Sequence, residues 1–327
     1  MQNEPAGYPV PENSDDPAVA TILYDDGFDP SQKEVCLFVA YAPDGTIGQG
    51  LSYLIGSFDK MNIAVVLCLI TEKPAPEISN ETRSICRMVL ARRNTGYDFG
   101  AWAGMLRAVP ALWNASRLYF VNDSILGPNE NFESMIQHIR SQSESFIALT
   151  ANWIDFYHAQ SYFFVLNRDA LINQLVKSFW NNLPDYKDKV TVIRQCEQRQ
   201  LGLIADAGLS SHILFPVDLR HMAKAGRFNP THHAWKELLE SGFPFLKADL
   251  FYRRKISIRG WSNFFPEPYR QMVNQQVKEI MSTRFPLTIH PGSKRLTHKS
   301  RYKSNPVYIN LRIMSKRLIA HLATRNG

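Results

Sequence analysis

Two short polar segments, each at the end of an apolar stretch, carry residue types that bind charged ligands. The first places Arg92 and Arg93 directly before Asn94-Thr95-Gly96-Tyr97-Asp98. Two guanidinium groups, a glycine turn and the free N–H groups at the start of a helix suit a diphosphate. The alternative is an ordinary helix start capped by Asp98, because turns with glycine and aspartate commonly join a strand to a helix.

The second segment, Asn122-Asp123-Ser124, follows the apolar run Arg117–Val121 and precedes Gly127-Pro128. A carboxylate at the carboxyl end of a buried strand points into the crevice where open α/β sheets bind ligands. There it can hold a divalent cation such as Mg²⁺ or Mn²⁺, which makes Asp123 the candidate metal ligand. An Asx turn explains the same three residues, since Asn, Asp and Ser form local hydrogen bonds in turns.

A third segment, Trp153–Phe164, embeds polar side chains among aromatic ones. This mixture suits a sugar, which presents both apolar ring faces and hydroxyl groups. The alternative is that His158 and Gln160 are satisfied polar groups at the entrance to a strand. Further along, Glu197 lies in a helical pattern, where a single acid is usually solvated.

Several other chemistries are disfavoured by what the sequence lacks. His232 and His233 are adjacent, so their side chains diverge on a helix, and neither Glu nor Cys follows at zinc-ligand spacing. The sequence contains no G-x-G-x-x-G after its first strand, no Walker A segment and no G-x-S-x-G segment. These absences argue against a dinucleotide enzyme, an ATPase and a serine hydrolase.

The elements that must position these segments alternate between apolar strands and helical patterns from residue 35 to about residue 170. Short, fully apolar strands separated by helices predict a mostly parallel sheet with helices on both faces. The predicted strands are 35–41, 63–71, 85–92, 117–121, 146–151 and 161–166. The predicted helices are 49–61, 98–109, 132–140, 168–181, 192–207 and 233–240.

Charge and composition describe the ends of the chain and its compartment. The net charge of +7 comes from Arg284 onward, where ten Lys or Arg occur without any Asp or Glu, so the remainder carries −3. Such a basic tail, with helical leucine spacing over Leu311–Leu322, predicts docking on an anionic surface, with a solvated tail as the alternative. Four dispersed cysteines and the absence of a secretory signal or a membrane-length apolar run predict a cytoplasmic protein.

Taken in order, these segments resemble the rhamnan synthesis protein F family of glycosyltransferases over roughly residues 35–255. The resemblance is carried by Val39–Gly45, Asn94–Trp102, Val121–Ser124 with Gly127-Pro128, His158–Phe163, Glu197, Asn229–Thr231 and Pro244–Lys247. It implies transfer of a sugar, typically L-rhamnose from dTDP-rhamnose, to a cell-surface polysaccharide or its lipid-linked precursor.

The resemblance also implies a fold and a division of the chain. We expect an α/β, GT-A-like nucleotide-sugar-binding fold with a mostly parallel central sheet, helices on both faces and helical C-terminal additions. Residues 1–33, rich in Pro, Asp, Asn and Gly, are predicted to be a flexible leader. The GT-A-like glycosyltransferase domain is predicted to span 34–255, and a basic, mainly helical extension to span 256–327.

On this interpretation, the candidate residues take distinct roles. Asp123, Glu197 and His158 are the catalytic candidates, with Glu197 preferred over His158 as the base that takes the acceptor's proton. Asp123 is also the ligand of any Mg²⁺ or Mn²⁺, and no organic cofactor is expected. The donor-binding candidates are Tyr41, Asp44, Arg93, Asn94, Gly96, Asp98 and Asn122. The acceptor-binding or sugar-binding candidates are Gln160, Ser161, His233 and Lys247.

One departure from the expected pattern keeps alternatives open. Asn122-Asp123-Ser124 contains one acid where a D-x-D metal motif has two, so metal dependence is not fixed by the sequence. The same departure is compatible with a catalytically degenerate scaffold of polysaccharide assembly. A nucleic-acid-binding protein would depend on the basic tail alone, and we expect no nucleic-acid partner. The tail instead suggests peripheral attachment to the inner face of the cytoplasmic membrane.

Overall fold

The computed structural model describes residues 14–15, 18–216, 218, 228–252 and 258–284. The strands are β1 (Ser14–Asp15), β2 (Thr21–Asp25), β3 (Glu34–Tyr41), β4 (Ala64–Ile70), β5 (Met88–Arg92), β6 (Arg117–Asn122), β7 (Ile125–Leu126), β8 (Phe146–Ala148), β9 (Ala151–Ile154), β10 (Phe156–Ala159), β11 (Phe163–Asn167), β12 (Asp185–Tyr186), β13 (Ser211–Ile213) and β14 (Leu246–Lys247). The α-helices are α1 (Gln49–Lys60), α2 (Asn80–Ile85), α3 (Tyr97–Ala108), α4 (Phe132–Ser141), α5 (Arg168–Ile172), α6 (Gln174–Asn181), α7 (Lys189–Gln195), α8 (Gln200–Asp206), α9 (Pro230–His233), α10 (Trp235–Glu240) and α11 (Tyr269–Arg284).

An eight-stranded sheet forms the centre, in the order β13-β8-β11-β6-β3-β4-β5-β2. Strands β3 to β6 pair in parallel, as do β8 and β13, whereas β11 and β2 run antiparallel to their neighbours. The prediction of a mostly parallel α/β sheet is therefore confirmed. The strand order reverses at β3, because the chain adds β4 and β5 on one side and then β6 on the other. Sheets of this kind bind ligands at such a reversal, beyond the carboxyl ends of the strands.

Helices cover both faces of this sheet, which explains why its central strands are apolar on both sides. One face is filled by side chains that include Phe58 of α1 and Ile136 of α4. The other face is filled by side chains that include Trp102 of α3 and Trp180 of α6. The buried indole N–H of Trp102 donates to the carbonyl of Leu37 in β3 at 3.0 Å, which fixes α3 against the central strand.

The predicted flexible leader contains part of the sheet. Thr21–Asp25 form β2, which pairs antiparallel with β5, and Ser14–Asp15 pair with Asp185–Tyr186. The prediction is therefore wrong for these residues, because β2 supplies the hydrogen-bonding partner that the outer edge of β5 requires. The remaining residues up to 17 lie outside the described ranges.

The described part of the predicted C-terminal extension packs onto the same body as the sheet. Gln276 of α11 is buried and donates to the carbonyls of Gly50 at 3.0 Å and Gly127 at 2.9 Å. It also accepts the Gly127 N–H at 2.8 Å. The predicted domain boundary at residue 255 thus divides α11 from α1, although the two helices pack against each other. The basic stretch 285–327, including Leu311–Leu322, lies outside the described residues.

One predicted strand is interrupted by a hairpin. The strand expected over 146–151 ends at Ala148, and the chain continues into β9 and β10, which pair antiparallel with Trp153 opposite Tyr157. Because β9 follows the carboxyl end of β8, the hairpin extends beyond the sheet on the same side as the strand ends. None of the helices in the part of the chain that the structure describes could span a lipid bilayer.

Candidate active site

A pocket of about 240 Å³ opens at the point where the strand order reverses. It is lined by Tyr41 at the end of β3, Asp123 after β6 and Glu279 of α11, among other residues. The described residues that line it include three carboxylates, from Asp44, Asp123 and Glu279, but no Lys, Arg or His. Such a lining favours a neutral ligand group with hydrogen-bond donors over a phosphate without a counter-ion.

Asp123 lies where the sequence predicted it, at the carboxyl end of β6, and its orientation is fixed by the backbone. Its Oδ2 accepts the N–H of Tyr41 at 2.9 Å, and its own N–H donates to the carbonyl of Val39 at 3.1 Å. These two bonds tie the residue to the end of β3. Asp123 therefore borders the pocket on one side and the polar crevice described next on the other.

A chain of hydrogen bonds continues from Asn122 into this crevice. Asn122 Nδ2 donates to Asp98 Oδ2 at 2.7 Å, while Asn122 Oδ1 accepts from the N–H and the hydroxyl of Ser124. Lys247 Nζ donates to Ser124 Oγ at 2.7 Å and lies 4.4 Å from the ring centre of Tyr162. The pairing of β14 with β7 brings Lys247 to this position. The predicted residues Asp98, Asn122 and Lys247 thus meet in one network.

The two charged groups of this network have shifted pKa values. Burial raises the pKa of Asp98 to about 6, and the negative charge of Asp123 acts in the same direction. Burial lowers the pKa of Lys247 to about 8, against the opposing influence of the carboxylates of Asp249, Glu197 and Asp98. At neutral pH, the crevice therefore holds an ionised Asp98 and a protonated Lys247.

Glu197 and His158, the two candidate bases, also come together. Glu197 begins a 3₁₀ turn between α7 and α8, where its Oε1 lies 3.4 Å from His158 Nε2 and its Oε2 accepts the Ser161 hydroxyl. His158 Nδ1 lies 2.9 Å from the carbonyl oxygen of Phe156 and carries a proton, since a carbonyl can only accept.

The environment of Glu197 keeps its carboxylate ionised. Burial alone would raise its pKa, but hydrogen bonds from His158 and Ser161, with the charges of His158 and Lys247, hold the pKa below its usual value. Glu197 is therefore an oriented carboxylate beside a lysine. Such a group can accept a proton from a nearby hydroxyl.

The interpretation of Arg92 as an anion-binding residue is wrong. Its side chain is buried and pairs with Asp185, with 2.5 Å between Nη2 and Oδ2. It also donates to the Gly100 carbonyl and to Thr95 Oγ1. Gly96 begins α3 in the left-handed conformation, with φ of 68°, and a Cβ there would lie 2.6 Å from Asp185 Oδ1. This turn packs α3 against a buried ion pair.

The other donor candidates of this loop lie at the surface or turn toward Asn122. Arg93 and Asn94 are exposed between β5 and α3. Asp98 does not cap α3, because Gly96 occupies the N-cap position and the Asp98 carboxylate accepts from Asn122. The loop therefore contributes Asp98 to the crevice and leaves Arg93 as its exposed cation.

The remaining sugar-binding candidates surround the crevice. Gln160 is buried, and its side-chain oxygen accepts the Thr150 hydroxyl at 2.8 Å. His233 accepts the Asn229 N–H at 3.0 Å through Nδ1, in α9, which packs against β14. The structure thus places His233 beside the strand that carries Lys247, but not in the hydrogen-bond network of Glu197.

Glu279 is a pocket residue that the sequence analysis did not find. Its Oε1 accepts the Gly50 N–H at 3.0 Å at the start of α1, and Gly48 leaves room for the carboxylate. The one sequence signal is weak: Gln276 and Glu279 are polar residues three positions apart on a helical pattern. Their partners lie more than 100 positions earlier in the chain.

The crevice offers a divalent cation only part of a coordination shell. No group of three His, Cys, Asp or Glu side chains in the described ranges is arranged to hold a metal ion. However, Mg²⁺ commonly takes one or two carboxylates and completes its shell with water and substrate phosphates. Asp123 fits that partial role because a second carboxylate, that of Asp98, lies nearby. The two are close enough for the charge of Asp123 to raise the pKa of Asp98.

The fold and the site together define an open α/β protein whose ligand crevice lies at the reversal of strand order. The family model of rhamnan synthesis protein F matches residues 70–282, which reaches almost to the end of α11. This chain belongs to the rhamnan synthesis protein F family. At the family level, membership associates it with glycosyl transfer in polysaccharide synthesis.

Two relatives show how far the similarity extends along the chain. The virulence protein VirA of Vibrio anguillarum is 25% identical over 287 residues, which cover 77% of this chain and 86% of VirA. The uncharacterized protein y4gN of Sinorhizobium fredii is 24% identical over 177 residues, which cover 53% of this chain and 46% of y4gN. The likeness to VirA thus includes most of both chains.

Proposed function

We propose that this chain is a glycosyltransferase with a GT-A-like fold that transfers L-rhamnose from dTDP-rhamnose to a cell-surface polysaccharide or its lipid-linked precursor. The proposal is carried by one observation: the pocket and the charged crevice meet at Asp123. A nucleotide sugar needs both environments, because its nucleoside is neutral while its diphosphate is charged and adjoins the reacting carbon. Family membership supports the same reaction class.

The nucleoside belongs in the pocket and the diphosphate beyond Asp123. The carboxylates of Asp44 and Glu279 accept hydrogen bonds from ring and sugar donors, and Ile47 and Leu51 offer apolar contact. Lys247, on the crevice side, supplies positive charge for the diphosphate. A cation held by Asp123 would add Lewis-acid stabilisation of the leaving diphosphate.

The reaction is a displacement at the anomeric carbon. The bond from this carbon to the diphosphate oxygen breaks, a bond to the acceptor oxygen forms, and the acceptor's proton moves to Glu197. His158 and Ser161 hold the Glu197 carboxylate in position, as expected for a general base. Lys247 stabilises the charge that develops on the leaving group.

Nucleotide binding tests the proposal against a catalytically degenerate scaffold. We expect dTDP at saturating concentration to raise the Tm by a few degrees, since a ligand at 100 times its Kd adds about 2.7 kcal/mol of stability. Thymidine is the control that lacks the diphosphate. An unchanged Tm with both dTDP and UDP would favour the scaffold.

We also propose that the enzyme works at the inner, cytoplasmic face of the membrane, held by the basic residues from Arg284 onward. Ten basic residues without an acid favour anionic lipid headgroups. In sedimentation with liposomes, binding is expected to vesicles with anionic lipid and to weaken in high salt. Equal binding to neutral vesicles, or no binding to either kind, would contradict this attachment.

A further inference from the structure

We propose that the β9–β10 hairpin is the platform on which a sugar residue of the acceptor binds, with its ring stacked on Phe156. This inference rests on the proposed function, and it names the surface that receives the second substrate. The hairpin extends from the strand ends beside the crevice, as described above. It is therefore placed to hold a molecule that reaches Glu197 from outside the donor pocket.

The hairpin exposes aromatic rings at this edge of the sheet. Among the aromatic side chains of the described ranges, the exposed ones are Tyr41, Phe156 and Tyr157. Phe156 is 46% exposed and Tyr157 is 38% exposed. Tyr41 lines the donor pocket, so all three rings lie near the carboxyl ends of the strands. Aromatic rings left in water at a ligand-binding edge favour a ligand with an apolar face, which a pyranose ring has.

Phe156 is directly connected to the candidate base. In the paired strands, Phe156 and His158 lie two residues apart and so share a face of the hairpin. Their ring centres are 5.7 Å apart, and His158 Nε2 lies 3.4 Å from Glu197 Oε1. A sugar stacked on Phe156 therefore has its hydroxyls next to the His158–Glu197 pair. This geometry suits delivery of the acceptor's proton to Glu197.

A second, independent observation points to a ligand at the same face. Asn152 is the residue opposite His158 in the hairpin, and the residue is 3% exposed. Its Oδ1 is buried and has no hydrogen-bond partner among the described residues. A buried acceptor left unpaired costs free energy, and a ligand hydroxyl that reaches it would recover that cost. The face thus combines an apolar ring with an unsatisfied polar acceptor.

This combination favours a saccharide over another protein surface. A face that only packed against a second copy of the chain would be expected to be mainly apolar at its centre. Here the exposed ring of Phe156 shares a face of the hairpin with the buried side chains of His158 and Asn152. An apolar ring beside hydrogen-bonding groups matches the ring face and the hydroxyls of one sugar residue.

Saturation-transfer NMR on the full-length chain, without any donor, tests the platform directly. The probes are methyl α-L-rhamnopyranoside and methyl α-D-glucopyranoside, which carry the ring face without a nucleotide. We expect saturation of ring C–H protons for at least one probe in the wild type. Phe156→Ala should weaken binding about 3- to 10-fold, as expected for the loss of one aromatic contact. Phe156→Tyr, which keeps the ring, should retain it.

Ile172→Ala is the matched control, because Ile172 is also an exposed apolar residue, at 52% exposure. It lies in α5, which follows the antiparallel strand β11 and is therefore at the other end of the sheet from the hairpin. This control should leave the saturation signal unchanged. The proposal is overturned if neither probe receives saturation in the wild type, or if Phe156→Ala binds as well as the wild type. It is also overturned if Phe156→Ala instead abolishes a concentration-dependent dimer in sedimentation velocity.

The same variants separate this inference from the proposed function. The dTDP-induced shift in Tm should be equal in the wild type and Phe156→Ala, because Phe156 does not line the donor pocket. Sugar binding that depends on Phe156, without any dTDP shift, would support the platform while contradicting the proposed transferase. A dTDP-induced shift in Tm, together with sugar binding that does not depend on Phe156, would support the proposed transferase while contradicting the platform.

Discussion

Lys247 places an ammonium group in a crevice that also holds the carboxylates of Asp98, Asp123 and Glu197. The sequence marked Asp98 and Asp123 because each lies near the end of an apolar strand, whereas Glu197, inside a helical pattern, was indicated by the family resemblance. It indicated Lys247 only through the family resemblance, since nothing local marks this lysine. Its hydrogen bond with Ser124 joins residues 123 positions apart. A pattern within a few neighbouring residues cannot predict a contact between positions so far apart in the chain.

The lowered pKa of Lys247 predicts the alkaline limit of activity. If its ammonium stabilises the leaving diphosphate, kcat/KM should fall as the pH rises through about 8, where the free enzyme loses this proton. Lys247→Arg should move the alkaline limb upward by more than about one pH unit, because a guanidinium stays protonated. Lys60→Arg, at the exposed end of α1, is the control. An alkaline limb that is identical in Lys247→Arg would remove Lys247 from the mechanism.

The misassignment of Arg92 has a physical cause at the same scale. Arg92 and Arg93 look equivalent in the sequence, but Arg92 is the last residue of β5, whereas Arg93 lies in the loop that follows. Arg92 meets Asp185, 93 positions away, and Arg93 faces solvent. Only the fold decides which arginine is available to a ligand.

At the scale of elements, three glycines fit α3 against this ion pair. Gly96, Gly100 and Gly104 recur every four residues and so lie on one side of the helix. At Gly100, a Cβ would lie 2.8 Å from Asp185 Oδ1 and 2.9 Å from the Thr95 carbonyl oxygen. The helix that carries Asp98 is therefore positioned by the absence of side chains on this face.

Replacing these glycines should have unequal effects on stability. Gly100→Ala should lower the free energy of unfolding by about 1–3 kcal/mol, because the new methyl group overlaps buried atoms. Gly202→Ala in α8 is the matched control, since a Cβ at this position would have no atom within 4 Å. It should be neutral or stabilise by up to about 1 kcal/mol. Urea unfolding measures both, and equal values would contradict the packing role of Gly100.

The elements differ in how well the sequence predicts them. The central strands were predicted to within a few residues because each is a continuous apolar run. Helices α1, α3 and α4 were predicted equally well because their apolar residues recur at helical spacing. Strand β2 and the β9–β10 hairpin were missed, since these short strands are partly exposed and lack the continuous apolar run of β5 or β11. The antiparallel direction of β11 could not be predicted, because a buried strand is apolar on both faces in either direction.

For the whole molecule, the sequence predicted the class of sheet but not how distant segments close the site. The pocket requires α11, and Glu279 reaches Gly50 across 229 positions of the chain. The family match to residue 282 includes most of this helix, whereas the predicted domain ended at 255. The site is therefore a property of the entire described body, and its parts are brought together by the sheet order.

The most direct test of this account is release of nucleoside diphosphate from a panel of nucleotide sugars by the purified chain, with and without EDTA. We expect release from dTDP-rhamnose by the wild type, and its loss in Asp123→Asn with the Tm and the circular dichroism spectrum preserved. Loss of release in EDTA that added Mg²⁺ restores would show that a divalent cation is required, whereas insensitivity would leave charge stabilisation to Lys247. Full release by folded Asp123→Asn, or no release from any donor by the wild type, would contradict the account.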